Sequence, residues 1–139
     1  TTTSVNLAAS LAALEKRVLL VDLDPQGNAT TGCGIDKQAL EATTCEVLLG
    51  ESQALEAIVS VTSAGFALLP ANSDLTAAEI RLLQEIGREM RLRKALEVAA
   101  AVIFDYQQDV VKIDVDSQLT RCQQAETIIR AALSGGAHE

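Results

Sequence analysis

Aromatic residues are scarce in this sequence. Phe, Trp and Tyr make up 2% of the 139 residues, although hydrophobic residues as a whole make up 48%. An interior built mainly from Ala and Leu favours helices packed on a sheet over an all-β sandwich. A single domain of this length buries roughly two-thirds of its unfolded surface, so the chain is long enough for a real core.

Histidine and paired cysteines are almost missing as well. The one histidine is His138, and the cysteines Cys33, Cys45 and Cys122 are widely spaced, odd in number and without a CxxC pair. A zinc site or a disulfide framework is therefore not expected. We expect the cysteines to be small apolar fillers of a protein in a reducing cytoplasm.

The sequence has neither a long apolar run nor an excess of positive charge. No run approaches the ~20 residues that a membrane-spanning helix needs, and the opening residues lack the basic start of a signal peptide. We expect no integral membrane contact. The net charge of −8 argues against a surface that coats DNA, because neutralising phosphates requires clustered Lys and Arg.

One local basic set could still contact DNA phosphates. It is interleaved with glutamates, so a solvated helix face is the better interpretation. The set consists of Arg81, Arg88, Arg91, Arg93 and Lys94, and the glutamates are Glu79, Glu85, Glu89 and Glu97.

Helical and strand-like segments alternate along the chain. Short, mostly apolar runs with almost no alternation occur at 18–24 and 66–70 and are typical of parallel strands buried on both faces. Helical apolar spacing occurs at 4–14, 52–59 and 76–97. This alternation predicts an α/β fold with a mostly parallel sheet.

Capping signals refine two of the helices. A capping box formed by Thr43 and Glu46 predicts a short helix that ends at Gly50. Gly87 weakens the long helix predicted over 76–97.

The most informative stretch is VLLVDLDPQGNATTG, residues 18–32. Asp22 and Asp24 end a predicted strand, and the carboxyl ends of parallel strands border the crevice where open α/β sheets bind ligands. Carboxylates there can orient water or a magnesium shell beside a phosphate. The alternative is that both aspartates only end the strand and cap the next turn.

The second informative stretch is the hydroxyl-rich opening, Thr1-Thr2-Thr3-Ser4. Hydroxyls in the first turn of a helix suit phosphate and Mg²⁺, because the free N–H groups and the helix dipole favour anions. Simple N-capping is the alternative.

Together the two stretches resemble the ParA/Soj-type partition ATPases, the deviant-Walker family that includes MinD. Members carry KGGVGKTTTSVNLA, then a helix and a strand reading VLLVDLDPQGNAT; this sequence has TTTSVNLAASLAALEKRVLLVDLDPQGNATTG at the same spacing. The resemblance covers about residues 1–97. It implies a three-layer P-loop NTPase-like α/β sheet that binds ATP and Mg²⁺.

The resemblance also implies roles for matched positions. Asp24 looks like the acidic residue that positions the attacking water, and Asp22 like a group close to the metal shell. Thr1 looks like the hydroxyl that ligates Mg²⁺, with Thr2 beside the phosphates. The nucleotide-binding first switch loop matches Gln26, Gly27 and Asn28.

Two departures from the family pattern qualify this prediction. The Gly-rich loop with its lysines, and the first strand, would precede Thr1, so we expect one incomplete domain over 1–139 with impaired hydrolysis. We also expect either an open sheet edge or an uncovered helix face. Residues 98–139 diverge from the family, with strand-like runs at 99–104 and 110–115 and a helix from Thr120. Asp114 is either a stand-in for the Walker B aspartate or part of an ordinary strand that closes the sheet, which we favour.

Three functions remain open at this point. The favoured one is a fragment of a bacterial partition ATPase whose family dimerises around Mg-ATP, associates with nonspecific DNA at the nucleoid and is stimulated by a ParB-type partner. The second is a non-catalytic dimerisation or interaction module, which the absence of the loop lysines favours. The third is a small nucleotide-kinase-like domain, for which no acceptor-binding part is recognisable.

Overall fold

The fold was obtained as a computed structural model that describes residues 1–103 and 110–115, with side chains described for residues 1–100. Its helices are α1 (Thr2–Ala13), α2 (Asn28–Gly32), α3 (Thr44–Leu49), α4 (Ala54–Ala57), α5 (Leu75–Leu82) and α6 (Arg91–Ile103). Its strands are β1 (Arg17–Asp22), β2 (Val59–Val61), β3 (Phe66–Leu69) and β4 (Val110–Val115). A 3-10 turn at Arg88–Met90 precedes α6.

The four strands form one mostly parallel sheet in the order β2-β3-β1-β4. Strand β1 pairs in parallel with both β3 and β4, and β2 is antiparallel to β3. The predicted α/β class and mostly parallel sheet are therefore confirmed.

Strand β1 has no open edge, because β3 lies on one side of it and β4 pairs with it along its whole length. Arg17 is in register with Val110, and the pairing continues to Asp22 with Val115. The strand predicted at 110–115 is thus confirmed as a sheet-closing strand, and Asp114 stands in register with Val21.

Strand β1 contributes to a core on each face of the sheet. Leu19 and Val21 belong to a core that includes buried residues of α3, α5 and α6. Val18 and Leu20 alternate with them and belong to a second core with α1 and α2. Helices therefore cover both faces, which gives the three layers that the family resemblance implied.

The capping box of α3 forms as the sequence predicts. The Thr43 hydroxyl accepts from the Cys45 N–H at 3.2 Å, and Glu46 Oε2 accepts from the Thr43 N–H at 2.7 Å. Gly50 ends the helix in the left-handed conformation, with φ of 75°. These contacts satisfy backbone groups that a helix end otherwise leaves unpaired.

The strand predicted at 99–104 is wrong as far as the structure describes it, because residues 99–103 continue helix α6. Leu92, Leu96 and Ala99 are buried in one core at helical spacing, so that face of the helix outweighs the strand-like composition. Phe104 and the helix predicted from Thr120 lie outside the described residues.

Two other segments differ from the predictions. The helix predicted over 76–97 is interrupted between Leu82 and Arg91, a segment that includes Gly87 in the left-handed conformation, with φ of 77°. The helix predicted over 52–59 is the single turn α4, and Val59 begins β2. Within the described part of the chain, no helix is long and apolar enough to cross a membrane.

Candidate active site

Helix α1 and strand β1 run in opposite directions, since three residues connect them. The helix has 12 residues and the strand 6, so their lengths match at about 18 and 20 Å. Near the far end of α1, the Ala12 β-carbon lies 3.9 Å from where a β-carbon on Gly65 would be, just before β3. The structure therefore brings the first turn of α1, with Thr1, to the same end of the sheet as Asp22 and Asp24.

The first turn of α1 is exposed and its leading hydroxyl is not used in capping. Thr1 is the N-cap residue, but its side chain makes no capping hydrogen bond, and its carbonyl accepts from the Val5 N–H at 3.0 Å. Thr2 and Thr3 are exposed as well. The N–H groups of a first helical turn have no intrahelical acceptor, so this turn can receive an anion.

Asp24 lies two residues beyond β1 and organises the turn that follows. Its half-buried carboxylate accepts from the Gln26 N–H through Oδ1 and from Asn28 Nδ2 through Oδ2, both at 2.9 Å. Its carbonyl accepts from the Gly27 N–H at 2.7 Å. The predicted site residues from Asp24 to Asn28 therefore form one hydrogen-bonded loop, with Gln26 and Asn28 exposed.

Gly27 is buried at the point where this loop meets the segment after β3. Its φ is 60°, and a β-carbon there would lie 2.6 Å from the Ala71 carbonyl oxygen. Lys37 also contacts this loop, and its Nζ donates to the Gln26 carbonyl at 2.5 Å. Lys37 and Ala71 were not identified from sequence, and neither carries a local motif that would reveal these contacts.

The carboxylate of Asp22 is fully buried and contacts protein donors. Oδ1 accepts from the Asp24 N–H at 3.1 Å. Oδ2 accepts from the Thr30 N–H at 2.8 Å and from the Thr30 hydroxyl at 2.7 Å. These bonds hold the end of β1 to helix α2; the role of Asp22 close to a metal shell stays a prediction.

Two buried threonines join this end of the sheet together, and sequence reasoning assigned a role to neither. Thr30 Oγ1 accepts from the Ala71 N–H at 3.0 Å. The Thr44 hydroxyl lies 3.0 Å from the Asp22 carbonyl oxygen and 2.9 Å from that of Pro70. Thr30 directly follows the loop in sequence, but no local sequence pattern predicts its partners.

The site offers oxygen ligands without a preformed metal cage. Among the described residues, no group of three or more His, Cys, Asp or Glu side chains is placed to hold a metal ion. Magnesium prefers few protein oxygens and keeps water or phosphate as its other ligands. A hydroxyl such as that of Thr1, beside a bound phosphate, meets this requirement.

Three of the five members of the basic set form ion pairs. Arg81 contacts Glu51 at 2.9 Å, and Arg93 contacts Glu97 at 2.8 Å. Arg91 pairs with Glu85. The paired side chains are each at least 36% exposed, which agrees with the interpretation of a solvated helix face.

A three-layer, mostly parallel sheet with aspartates and a helix start at its carboxyl edge is the architecture of an open α/β protein that binds ligands at that edge. A family model described as an AAA domain matches residues 1–125. The chain therefore belongs to this AAA-domain family, and its relatives place it with the ParA/Soj-type partition proteins.

The relatives are similar to this chain over most of its length. The sporulation initiation inhibitor protein Soj of Bacillus subtilis is 47% identical over 106 residues, which are 76% of this chain and 42% of Soj. The chromosome partitioning protein ParA of Caulobacter vibrioides is 46% identical over 101 residues, 73% of this chain and 38% of ParA. The chain spans less than half the length of each.

A solved structure supports the same fold. Cobyrinic acid a,c-diamide synthase of Mycobacterium smegmatis, determined with a bound ATP analog and magnesium, has a TM-score of 0.71 and 46% sequence identity to this chain. The match covers 81% of this chain and 44% of that protein. The resemblance to a three-layer P-loop NTPase is therefore confirmed.

Proposed function

We propose that this chain is part of a partition ATPase and that the carboxyl edge of its sheet helps bind Mg-ATP. The observation that carries the proposal is the position of the Asp24 carboxylate at the same end of the sheet as the uncapped first turn of α1. A relative of 46% identity that was solved with an ATP analog and magnesium supports the choice of ligand.

The residues present fit a metal-bound phosphate. The first-turn N–H groups of α1 suit its negative charge, and the Thr1 hydroxyl is free of capping and able to ligate Mg²⁺. Thr2 would lie beside the phosphates. Bound magnesium would neutralise charge that develops on the phosphates.

Asp24 would orient the attacking water and accept its proton as the water oxygen bonds to the γ-phosphorus, while the bond from that phosphorus to the β–γ bridging oxygen breaks and ADP leaves. The carboxylate already has a fixed direction, because Gln26 and Asn28 each donate to one of its oxygens. Gly27 keeps the loop close to Ala71. Asp22 would support this arrangement from within the protein.

The wider role follows from the relatives. Since Soj and ParA are named for sporulation control and chromosome partitioning, we extend to this chain the functions that the family resemblance implied: ATP-dependent homodimerisation, association with nonspecific DNA and a ParB-type partner in the bacterial cytoplasm. An interaction module without hydrolysis is the alternative, and the same experiment separates the two.

The test is a titration of a fluorescent ATP analog with Mg²⁺ into two proteins. One is this chain, and the other is the chain extended at its amino end by the first strand and Gly-rich loop of a ParA relative. Hereafter the second is the extended version. Unlabelled ATP in excess and a titration without Mg²⁺ serve as controls.

We expect the extended version to bind the analog in a Mg²⁺-dependent manner and to hydrolyse ATP. Binding without hydrolysis would favour the interaction module. Absence of binding by both proteins would contradict the proposed nucleotide site.

A further inference from the structure

We propose that Thr30 is a positioning residue for Asp24, acting through the buried carboxylate of Asp22. The inference deepens the proposed function and rests on it, since Asp24 is the group that would orient water. Thr30 itself is fully buried and would contact neither nucleotide nor metal.

The connection runs through two successive hydrogen bonds. Thr30 donates twice to Asp22 Oδ2, from its N–H at 2.8 Å and from its hydroxyl at 2.7 Å. The other oxygen of the same carboxylate accepts from the Asp24 N–H at 3.1 Å. Because a carboxylate is planar and rigid, fixing Oδ2 also fixes where Oδ1 holds the backbone of Asp24.

The direction of the Thr30 hydroxyl is set by a third contact. Its oxygen accepts from the Ala71 N–H at 3.0 Å, so its single proton is left for Asp22. Hydrogen bonds to a charged group in a buried setting are about twice as strong as neutral ones. Ala71, in the segment after β3, therefore fixes the direction of the Thr30 hydroxyl, and this hydroxyl in turn holds the carboxylate of Asp22.

The same contact ties two loops together. The N–H of Ala71 donates to Thr30, and the Ala71 carbonyl packs against Gly27 in the loop that Asp24 begins. Loss of the Thr30 hydroxyl would leave the Ala71 N–H without this acceptor and Asp22 with one donor fewer. Both changes act on the loop that carries Asp24.

Three variants separate positioning from general stability. Thr30→Val keeps the shape of the side chain and removes the hydroxyl, whereas Thr30→Ser keeps the hydroxyl. Thr44→Val is the matched control, because it also removes a buried threonine hydroxyl at this end of the sheet. The Thr44 hydroxyl contacts backbone carbonyls, whereas that of Thr30 contacts the Asp22 carboxylate.

The first measurement is amide hydrogen exchange on this chain without nucleotide. We expect the Asp24 amide of Thr30→Val to exchange at least about tenfold faster than in Thr44→Val, and Thr30→Ser to stay within about twofold of the unsubstituted chain. Equal Asp24 exchange in Thr30→Val and Thr44→Val would overturn the proposal. If Thr30→Val does not fold, Thr30→Cys, whose thiol is a weaker donor, replaces it under the same criterion.

The second measurement is turnover by the extended version. We expect Thr30→Val to lower kcat at least about tenfold while the Kd for the ATP analog changes less than about threefold, with Thr30→Ser restoring kcat. An unchanged kcat would overturn the proposal. If the unsubstituted extended version binds no nucleotide, the proposed function fails, and the exchange experiment still decides whether Thr30 holds Asp24 in place.

Discussion

The carbonyl oxygen of Ala71 occupies the space that a side chain on Gly27 would need. A β-carbon on Gly27 would lie 2.6 Å from this oxygen and 3.1 Å from Lys37 Cδ, and the φ of Gly27 is 60°. We expect Gly27→Ala to lower the free energy of unfolding by about 2 kcal/mol or more, because strain and overpacking add. Urea unfolding followed by circular dichroism measures the change.

Gly34→Ala is the matched control for this substitution. Gly34 also has a positive φ, 77°, but nothing lies within 4 Å of a β-carbon there. We expect Gly34→Ala to cost only the strain of a side chain in the left-handed conformation, about 1 kcal/mol. Equal losses for the two variants would show that the close approach of Ala71 is unimportant.

The capping box of α3 gives a prediction about pH. Burial raises the pKa of Glu46, but hydrogen bonds from the Thr43 hydroxyl and from the N–H groups of Glu46 and Thr43 outweigh it and hold the pKa below its ordinary value. The charged form therefore stabilises the fold above pH 4.5, and this contribution is lost as the pH falls through the lowered pKa. Glu46→Gln should destabilise the chain by about 1 kcal/mol at pH 7 and by less at pH 3.

The control for Glu46 is the corresponding glutamate of α4. Glu56 Oε2 accepts from the Gln53 N–H at 3.1 Å in an exposed position, so Glu56→Gln should have the smaller effect. Urea unfolding of each variant between pH 7 and pH 3 measures both differences. A Glu46→Gln penalty that stays constant over this range would contradict the prediction.

Cys45 should be an unreactive thiol in the folded chain. Burial, followed by the charges of Glu46 and Asp74, raises the pKa of the thiol to about 11, and its Sγ donates to the Asp74 carbonyl at 3.3 Å. At pH 8 only about one thiol in a thousand is then ionised, and the thiolate is the reactive form. Mapping iodoacetamide adducts should show Cys33, which is partly exposed, reacting faster than Cys45. Equal rates in the folded chain would contradict this.

The raised pKa of Cys45 also affects stability at high pH. The folded state holds the thiol proton of Cys45 more tightly than the unfolded state does. The stability that Cys45 contributes is therefore complete below pH 9.0 and is lost as the pH rises towards 11. The stability difference between the unsubstituted chain and Cys45→Ala should therefore shrink over this range. A difference that is the same at pH 8 and pH 11 would disprove it.

Asp24→Asn should separate binding from turnover in the extended version. The amide keeps the shape of the side chain but is a poor base, so we expect kcat to fall at least about 100-fold with little change in the Kd for ATP. Asp36→Asn is the control, since Asp36 accepts from the Gln38 N–H at 3.0 Å much as Asp24 accepts from the Gln26 N–H. Normal turnover by Asp24→Asn would show that its assigned role is wrong.

Strand β1 and the aspartates at its end could be predicted from local sequence. An unbroken apolar run that ends in Asp22 has few structural interpretations other than a buried parallel strand. The Thr43–Glu46 capping box was predictable for the same reason, because both partners lie within one helical turn.

Other features depend on contacts between distant segments. The hydrogen-bond partners of Thr30, Asp22 and Ala71, lie 8 and 41 residues away in sequence, and no local sequence pattern predicts them. Strand β2 has three residues and pairs with β3, so its composition alone could not distinguish it from the end of a helix. Residues 99–103 look like a strand until Ala99 is placed in the core beside Leu96.

Alternate side chains of β1 belong to two separate cores, so both helix layers pack on the same strand. If either helix layer detached, one face of β1 would be exposed to water. The pairing of β1 with β3 and β4, on which the other layer also packs, would then be weakened. A substitution that destabilises the packing of α1 should therefore also destabilise α3, α5 and α6, although it contacts none of them. Both helix layers should unfold together, in a single transition.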